Sequence, residues 1–554
     1  MKTHGSIIRS KAILLEESEK NASYFTNLEK KNYKSCNIVN LEKSNGEKTQ
    51  NPKEILEEAK QFYENLYKKN ENLTSYFDEY FLNDNIPSLS ENEKNLCESA
   101  ITPDECTSAL KRMKNGKTPG SDGLSVEFYK IFWHSIKDLV HDSLIYAYEN
   151  GSLSIDQKRG LIKLLPKKSK ILTVLKNWRP ITLLNTDYKI LAHILAQRLQ
   201  KVLPNLISLD QNGYIQGRYI GCNIRTILDI IQISQNEENS NLITFIDYEK
   251  AFDNIKWEFM YKALEAFGFG KEFRKWIKII YSDVTSCVLN NGFSSNFFKL
   301  SKGVRQGCPL SALLFILIVE ILAIEIRKNN NVKGIKIGNT DVKITLLADD
   351  TTLFLKDTIS LRTALNIMFM FRQSSGLKIN CTKTSVMQVG KKDWNIKHFE
   401  LKSIKEKIYS LGIWFCKDPE ESVSINLKEK YEEFIKVLDK WRFHNLTLYG
   451  KIIALKSFAL SKLTHVISSF EVSNDYVDKV QEAIYNFIWD NKKPKIKNCV
   501  SVKRIEEGGL RIPHMASYVQ ANKAIWVKRL LNDNANSTQY LKIYLPDISL
   551  KQPF

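Results

Sequence analysis

The feature that most restricts the fold of this chain is a pair of adjacent aspartates inside an apolar run. Asp349 and Asp350 lie in TLLADDTTLFL, from Thr345 to Leu355, whose leucine, phenylalanine and threonine residues are typical of a buried strand. Two neighbouring carboxylates in such a setting repel each other and resist transfer out of water unless a cation neutralises them. The pair also fits a solvated hairpin tip, and taken alone it does not separate that alternative from a metal site.

A second acidic strand end favours the metal interpretation. The apolar run from Asn241 to Ile246 reads as another buried strand, and it ends on Asp247. If the two strands are neighbours in one sheet, Asp247, Asp349 and Asp350 can meet at one metal cluster. Mg²⁺ takes oxygen ligands, usually one or two carboxylates together with water and substrate phosphates. The sequence therefore predicts a divalent metal site suited to nucleotidyl transfer.

The chain is strongly basic, with 81 lysines and arginines against 62 acidic residues and a net charge of +19. A balance of this kind suits a polyanionic partner. Much of the excess lies between Gly151 and Lys201, where Trp178 and Tyr188 are interleaved with the basic residues. We interpret this window as a phosphate-facing surface, with an ordinary solvated face as the alternative. Its basic residues are Lys158, Arg159, Lys163, Lys167, Lys168, Lys170, Lys176, Arg179, Lys189, Arg198 and Lys201.

Cysteine usage and hydropathy restrict the compartment. The nine cysteines occur singly, without a C-x-x-C pair, which argues against both a disulfide framework and a zinc site. We expect a reducing, intracellular location in the cytoplasm or the nucleus. The first residues hold too short an apolar stretch for a signal peptide. The most apolar run, Ala312 to Val319, is too short to span a bilayer and predicts a buried helix, so no membrane partner is expected.

Five short segments follow the order and spacing of the palm motifs of reverse transcriptases. They are FIDYEKAFD (Phe245 to Asp253), GVRQGCPLS (Gly303 to Ser311), LADD (Leu347 to Asp350), GLKINCTKT (Gly376 to Thr384) and SLGI (Ser410 to Ile413). The arrangement most closely resembles the LINE-type, non-LTR retrotransposon enzymes, and five ordered motifs are far more specific than any one of them. The resemblance implies an α+β right-hand polymerase with fingers, an antiparallel palm sheet and a helical thumb.

The resemblance also implies how the chain is divided. We expect an N-terminal helical extension at 1–95, fingers at 96–230, a palm at 231–415, a thumb at 416–490 and a truncated C-terminal segment at 491–554. Apolar residues at helical spacing from Ile55 to Tyr67 predict an amphipathic helix in the extension. Arg9 to Tyr33 resembles the segment between endonuclease and polymerase in this family, so Met1 need not be the start of the element's protein. The family's downstream cysteine–histidine knuckle is missing.

The activity implied by the resemblance is extension of a DNA primer on an RNA template, as in target-primed reverse transcription. Asp247, Asp349 and Asp350 would hold two Mg²⁺ ions, with Mn²⁺ as an alternative. The expected partners are an RNA template, a DNA primer or target DNA, and deoxynucleoside triphosphates; the oligomeric state is not specified. Lys383 matches the family lysine thought to protonate the departing pyrophosphate, with an ordinary surface lysine as the alternative.

The resemblance further implies residues that bind the nucleotide. Lys167 and Arg179 would hold the triphosphate, and Pro180 keeps Arg179 extended so that its planar guanidinium can grip phosphate. The family's glycine after the Pro-Lys pair is replaced by Lys168 in this chain, which leaves the identity of the triphosphate lysine open. Phe252 would occupy the space that a 2′-hydroxyl needs and so select deoxynucleotides.

The GVRQGCPLS segment would lie near the templating base pair, with Gln306 and Gly307 as its nucleotide-binding residues by resemblance. Glycine there lets the backbone approach a nucleotide closely. Asp253 fits either a carboxylate that supports the metal ligands or a helix-start residue, and the sequence favours the helix start. The glycine-punctuated loop from Asp210 to Arg225 touches template and primer in the family; its residues alone indicate a polar turn before a helix.

Two other functions remain open from the sequence. A catalytically silent, nucleic-acid-binding remnant of a retroelement would account for the missing flanking domains, although the intact metal ligands argue against it. A group II intron-like maturase is a closer enzyme alternative, which a splicing assay would separate.

Overall fold

The fold is mixed helix and sheet, as the predicted α+β class requires. The computed structural model describes residues 37–69, 80–81, 86–167, 170–396, 399 and 403–531. The segment from Arg9 to Tyr33, for which a role between endonuclease and polymerase was predicted, lies outside the described residues.

Strands and helices are interspersed along the chain. The strands are β1 (Leu41–Glu42), β2 (Lys48–Thr49), β3 (Arg159–Pro166), β4 (Trp178–Leu183), β5 (Asn241–Ile246), β6 (Thr285–Asn290), β7 (Phe293–Ser294), β8 (Phe298–Lys299), β9 (Ile335–Ile337), β10 (Thr340–Val342), β11 (Ile344–Leu347), β12 (Asp350–Leu355), β13 (Ser385–Val389), β14 (Ser403–Ile404), β15 (Lys407–Ser410) and β16 (Ile413–Cys416). The α-helices are α1 (Pro52–Tyr67), α2 (Glu91–Glu98), α3 (Pro103–Arg112), α4 (Val126–Glu149), α5 (Ile155–Lys158), α6 (Thr186–Leu206), α7 (Ile220–Ser234), α8 (Ala251–Asn254), α9 (Trp257–Ala266), α10 (Lys271–Tyr281), α11 (Ser311–Lys328), α12 (Thr358–Ser375), α13 (Pro419–Arg442), α14 (Leu448–Ala454), α15 (Leu460–Ser469), α16 (Asn474–Ile488), α17 (Asn498–Ser501) and α18 (Met515–Leu531).

The chain forms two compact units, each assembled from segments that are distant in sequence. The first unit comprises the chain up to Ile207, Tyr248–Ile324 and Met368–Lys378. The second comprises Ser208–Asp247, Glu325–Ile367 and the chain from Ile379 onward. The predicted boundaries of extension, fingers, palm, thumb and tail follow the sequence instead, and they stay predictions.

The first unit contains a sheet with the order β4-β3-β6-β7, to which β8 adds by pairing with β6. Strands β3 and β4 are antiparallel. Helix α1 starts at Pro52. Asn51 caps it, because its side-chain oxygen accepts a hydrogen bond from the Lys53 amide at 3.0 Å. Its apolar face, which includes Tyr63, packs in one cluster with Ile162 of β3. The predicted amphipathic helix is confirmed.

The second unit contains a five-stranded sheet with the order β11-β12-β5-β13-β14. Every residue of β5 is buried, which explains why this central strand reads as a continuous apolar run. Helix α13 begins after Asp418, whose carboxylate accepts hydrogen bonds from two backbone amides of its first turn. Phe434 and Leu438 point into the core while Lys428 and Lys436 are exposed, so α13 is amphipathic.

The most apolar run forms α11, and most of its side chains are buried, as predicted. The helix begins at Ser311, two residues after Pro309. Within the described ranges, no helix has both the length and the hydropathy needed to cross a bilayer.

Candidate active site

Strand register brings two of the predicted metal ligands together. Strands β12 and β5 run antiparallel, and Thr351 pairs with Ile246. One step beyond that pair, the same register places Asp350 opposite Asp247. The prediction that the two strands are neighbours is therefore confirmed, and their carboxylates share one edge of the sheet.

The predicted hairpin bend holds the third carboxylate. Leu347 pairs with Asp350, so Ala348 and Asp349 form a two-residue turn. Ala348 has a φ of +57°, the left-handed conformation that tight hairpins use at their first turn residue. The turn therefore carries Asp349 at its tip and starts β12 with Asp350.

The three aspartates influence one another electrostatically. Burial, together with the smaller effects of the negative charges of Asp349 and Asp247, raises the pKa of Asp350 to about 6. On the other side of β5, strand β13 continues the register so that Lys383 faces Asp247, with its ammonium nitrogen 3.6 Å from Asp247 Oδ2. The sheet thus collects three carboxylates and one lysine, which are four of the residues predicted to act in catalysis.

The donor set fits a hard divalent cation. Oδ2 of Asp247 is buried and accepts no hydrogen bond from any residue that the structure describes, a costly state for a carboxylate oxygen. Carboxylate oxygens are the ligands that Mg²⁺ prefers in proteins. The ligand geometry itself is not assembled: in the part of the chain that the structure describes, no group of three or more His, Cys, Asp or Glu side chains is placed to hold a metal ion.

A short segment of the second unit supports the hairpin from outside the sheet. The Gln211 side-chain carbonyl accepts hydrogen bonds from the amides of Ala348 at 2.9 Å and Gly213 at 2.8 Å. Leu346 exchanges backbone hydrogen bonds with Asp210 and Asn212. A Cβ atom at Gly213 would stand 2.4 Å from the Ala348 nitrogen, so only glycine fits. The described contacts of this loop hold the aspartate turn, and the contact with template and primer that the resemblance implies stays a prediction.

The side chains of Asn223 and Arg327 hold the supporting segment and the hairpin in place. Tyr214, in the same loop, interacts electrostatically with Asp349 and Asp350. The Asn223 amide donates to Thr345 Oγ1 and to the Leu346 carbonyl, each at 2.8 Å. Arg327 donates to both oxygens of Asp210 at 2.7 Å. Burial raises the pKa of Tyr214, with smaller contributions from Asp349 and Asp350. Sequence reasoning missed this tyrosine, because its only signal was a position next to a glycine.

The first unit holds the residues predicted to bind the nucleotide, and Gln306 and Gly307 are placed by the end of β4. The Thr182 amide donates to the Gln306 carbonyl at 2.6 Å. Gly307 has a φ of +116°, and a Cβ there would lie 2.5 Å from the Thr182 carbonyl oxygen. The backbone at Gly307 therefore approaches strand β4 closely, and its expected approach to a nucleotide stays a prediction.

Phe252 lies on α8, and one face of its ring packs against α11. Its ring stacks on Phe315 of α11, with 4.4 Å between centroids and 13° between ring planes. Its carbonyl accepts a hydrogen bond from the Val304 amide at 2.8 Å. The ring remains partly exposed, so a rigid aromatic surface is available to exclude a substituent.

Arg179 and Lys167, the residues predicted to bind the triphosphate, differ in whether another group of the protein already engages them. The Arg179 side chain is exposed on β4, as an extended residue before proline should be. The Lys167 ammonium donates to the Lys176 carbonyl at 2.9 Å. Lys167 is thus already engaged, and the identity of the triphosphate lysine stays open.

The basic window is less uniform than predicted. Trp178 and Tyr188 are fully buried and belong to the core, so they cannot stack on bases. Arg198 is 3% exposed, and its guanidinium binds Glu105 at 2.7 Å. The phosphate-facing interpretation was therefore wrong for these three residues, and it stays a prediction for the exposed cations of the window.

Asp253 lies in the first turn of α8, the position that the sequence favours. Its side chain is 1% exposed and does not cap α8. It accepts hydrogen bonds from Tyr67 Oη at 2.9 Å and from Gln306 Nε2 at 3.2 Å. Burial raises the pKa of Asp253 to about 6, against the opposing effects of Lys250 and these hydrogen bonds. Asp253 is therefore a buried, hydrogen-bonded residue at a helix start, and a role in supporting the metal ligands stays a prediction.

Comparison with known proteins places this geometry in context. Residues 165–415 match a family model described as reverse transcriptase (RNA-dependent DNA polymerase). The chain is 30% identical over 534 residues to the Transposon TX1 uncharacterized 149 kDa protein of Xenopus laevis, which covers 95% of this chain and 40% of that protein. It is 28% identical over 289 residues to the retrovirus-related Pol polyprotein from type-2 retrotransposable element R2DM of Drosophila melanogaster, covering 51% and 26% of the two chains.

A solved structure is a more distant match. Telomerase from Candida albicans, in complex with a fragment of telomeric RNA, aligns with a TM-score of 0.34 and 12% identity over 72% of this chain and 69% of that chain. The present chain spans less than half the length of either retrotransposon relative.

Proposed function

We propose that this chain, which carries a reverse transcriptase domain of the LINE-type, non-LTR retrotransposon kind and the right-hand polymerase fold of that family, extends a DNA primer on an RNA template. The observation that carries the proposal is the strand register that sets Asp350 opposite Asp247 beside the Asp349 turn. Three carboxylates at one sheet edge have little structural value of their own, because they repel one another. They suit a reaction that brings in divalent cations and phosphates.

Asp247, Asp349 and Asp350 would hold two Mg²⁺ ions, or Mn²⁺ in their place. When bound, such ions supply the positive charge that lowers the pKa of a primer 3′-hydroxyl and steadies a triphosphate. The residues of the chain do the rest. The half-exposed ammonium of Lys383 is free to turn toward a leaving pyrophosphate and donate its proton. The exposed guanidinium of Arg179 binds phosphate oxygens through two parallel hydrogen bonds.

Selection of deoxynucleotides rests on Phe252. Because Phe315 stacks on one face of its ring, Phe252 cannot turn away from a ribose without losing that contact. A 2′-hydroxyl would meet the ring, whereas a deoxyribose would not. Gln306, whose backbone carbonyl accepts a hydrogen bond from β4, would face the templating base pair.

The decisive experiment is extension of a DNA primer on an RNA template by the purified chain with Mg²⁺. The Asp349→Asn, Asp350→Asn double variant is expected to lose at least about a thousandfold in incorporation rate while it still binds the hybrid. Asp341→Asn, which changes an exposed aspartate of β10, serves as the matched control and should retain the wild-type rate. A wild type that binds the hybrid but incorporates nothing would instead support the silent remnant.

The location of the protein is also a proposal. Eight cysteines of the described residues are free thiols, which supports a reducing compartment, either the cytoplasm or the nucleus.

A further inference from the structure

A buried carboxylate joins the N-terminal extension to a nucleotide-binding residue within the first unit. Asp253 Oδ1 accepts one hydrogen bond from Tyr67, the last residue of α1, and another from the Gln306 side chain. Tyr67 is 5% exposed and Asp253 1% exposed. Helix α1 lies outside residues 165–415, the part of the chain that matches the reverse transcriptase family model.

This contact dictates which way the Gln306 amide points. The nitrogen and oxygen of a glutamine amide are usually hard to tell apart, but an ionised carboxylate only accepts hydrogen bonds. The atom that faces Asp253 must therefore be the Nε2 donor, and Oε1 points away from Asp253. Since the Thr182 amide also fixes the Gln306 backbone, both ends of the residue are held.

The chemistry of the surroundings argues against a role in packing alone. Lys250, three residues before Asp253, has a buried ammonium without a hydrogen-bond partner among the described residues. It lies over the rings of Phe62, at 4.2 Å, and Tyr63, at 5.2 Å, so α1 holds it by cation–π contacts. Apolar side chains of similar size would stabilise such an interior at least as well as buried charges do.

We propose that Tyr67 and Asp253 are positioning residues for Gln306, so that α1 of the N-terminal extension sets how accurately the enzyme selects its nucleotide. Tyr67 fixes the Asp253 carboxylate, which in turn presents Gln306 Oε1 in one orientation. This inference rests on the proposed function, in which Gln306 faces the templating base pair.

Helix α1 contains its own matched control. Tyr63 lies one turn before Tyr67, is fully buried, and its ring stacks on that of Tyr67 with 6.4 Å between centroids. Its hydroxyl is buried and makes no hydrogen bond within the described residues. Tyr63→Phe and Tyr67→Phe therefore delete the same atom from the same helix, and only the second removes the contact with Asp253.

The test compares single-nucleotide incorporation by the two variants and the wild type on an RNA template. Tyr67→Phe is expected to raise the KM for the correct deoxynucleotide about fivefold, as the net contribution of one typical hydrogen bond suggests, and to lower discrimination against a mismatched nucleotide by a similar factor. Tyr63→Phe should leave both values unchanged. Thermal melting of both variants checks that each is folded, and kcat should change less than KM.

A double-variant cycle separates positioning from general loosening. In a Gln306→Ala background, the fivefold effect of Tyr67→Phe should disappear, because the residue that it positions is gone. An effect of equal size in that background, or identical behaviour of Tyr63→Phe and Tyr67→Phe, would overturn the inference while the proposed function stands. A wild type without any incorporation would overturn the proposed function and this inference together.

Discussion

Two sites of the molecule are held in opposite ways. The carboxylate edge of the second unit consists of Asp247, Asp349 and Asp350. The Asp253 cluster of the first unit consists of Asp253, Tyr67 and Gln306. At the edge, backbone pairing places Asp247 and Asp350, and their side chains are not needed to hold each other. In the cluster, side-chain hydrogen bonds join Asp253 to Tyr67, a residue 186 positions away in sequence. A site placed by register should therefore tolerate side-chain changes and fail when its backbone support is altered. A site placed by side chains should show the reverse.

The largest effect on folding is expected from a change to the backbone support of the edge. Gly213→Ala would put a methyl group 2.4 Å from the Ala348 nitrogen, so the supporting segment or the aspartate turn has to move. We expect a loss of about 3–4 kcal/mol in the free energy of unfolding, together with most of the incorporation activity. Urea denaturation and primer extension measure the two effects.

Gly450→Ala is the control for that change. Gly450 lies in α14, and an added Cβ would come no closer than 3.3 Å to any neighbouring atom. Alanine favours the helical state, so this variant should unfold with wild-type stability or slightly above it. If Gly213→Ala were equally harmless, register alone would hold the aspartate turn and the supporting segment would be dispensable.

The Asp253 cluster should make the free energy of unfolding depend on pH. Burial raises the pKa of Asp253 from an ordinary value near 4 to about 6. The folded protein therefore binds the proton of the Asp253 carboxyl group more tightly than the unfolded chain does. The contribution to stability is therefore fully present below about pH 4 and is lost as the pH rises through 6, by roughly 2–3 kcal/mol. Asp253→Asn, which does not titrate, should lack this component.

The measurement is the difference between the two unfolding free energies from pH 4 to pH 7, because other carboxylates contribute equally to both proteins. Asp122→Asn provides a comparison, since partial burial also raises the pKa of the Asp122 carboxyl group. Parallel curves for the wild type and Asp253→Asn would show that Asp253 titrates normally, and that its burial has little electrostatic cost.

The same comparison explains how much the sequence could predict. Two apolar runs sufficed to predict Asp247 at a strand end and Asp349 and Asp350 at a hairpin bend, because strands and their ends follow from local pattern. The contact between Tyr67 and Asp253 left no such pattern, since each residue occupies an unremarkable position in its own helix. Trp178 was misinterpreted for a different reason: β4 alternates buried and exposed residues, and that alternation places Trp178 in the core and Arg179 outside.

The smallest effect on folding is expected at Lys383. Its ammonium is 3.6 Å from Asp247 and both side chains are about half exposed, so the pair should contribute less than about 1 kcal/mol to stability. Lys383→Gln should therefore unfold like the wild type, whereas a general acid would be missing and the incorporation rate should fall about a hundredfold.

Lys391→Gln is the matched control for Lys383, because Lys391 forms a similar exposed ion pair with Glu238 at 3.9 Å and has no predicted catalytic role. It should leave both the stability and the rate unchanged. An unchanged rate for Lys383→Gln would show that the proton comes from another donor. A loss of several kcal/mol would show instead that side chains help to hold the carboxylate edge, and that the two sites are built more alike than their hydrogen bonds indicate.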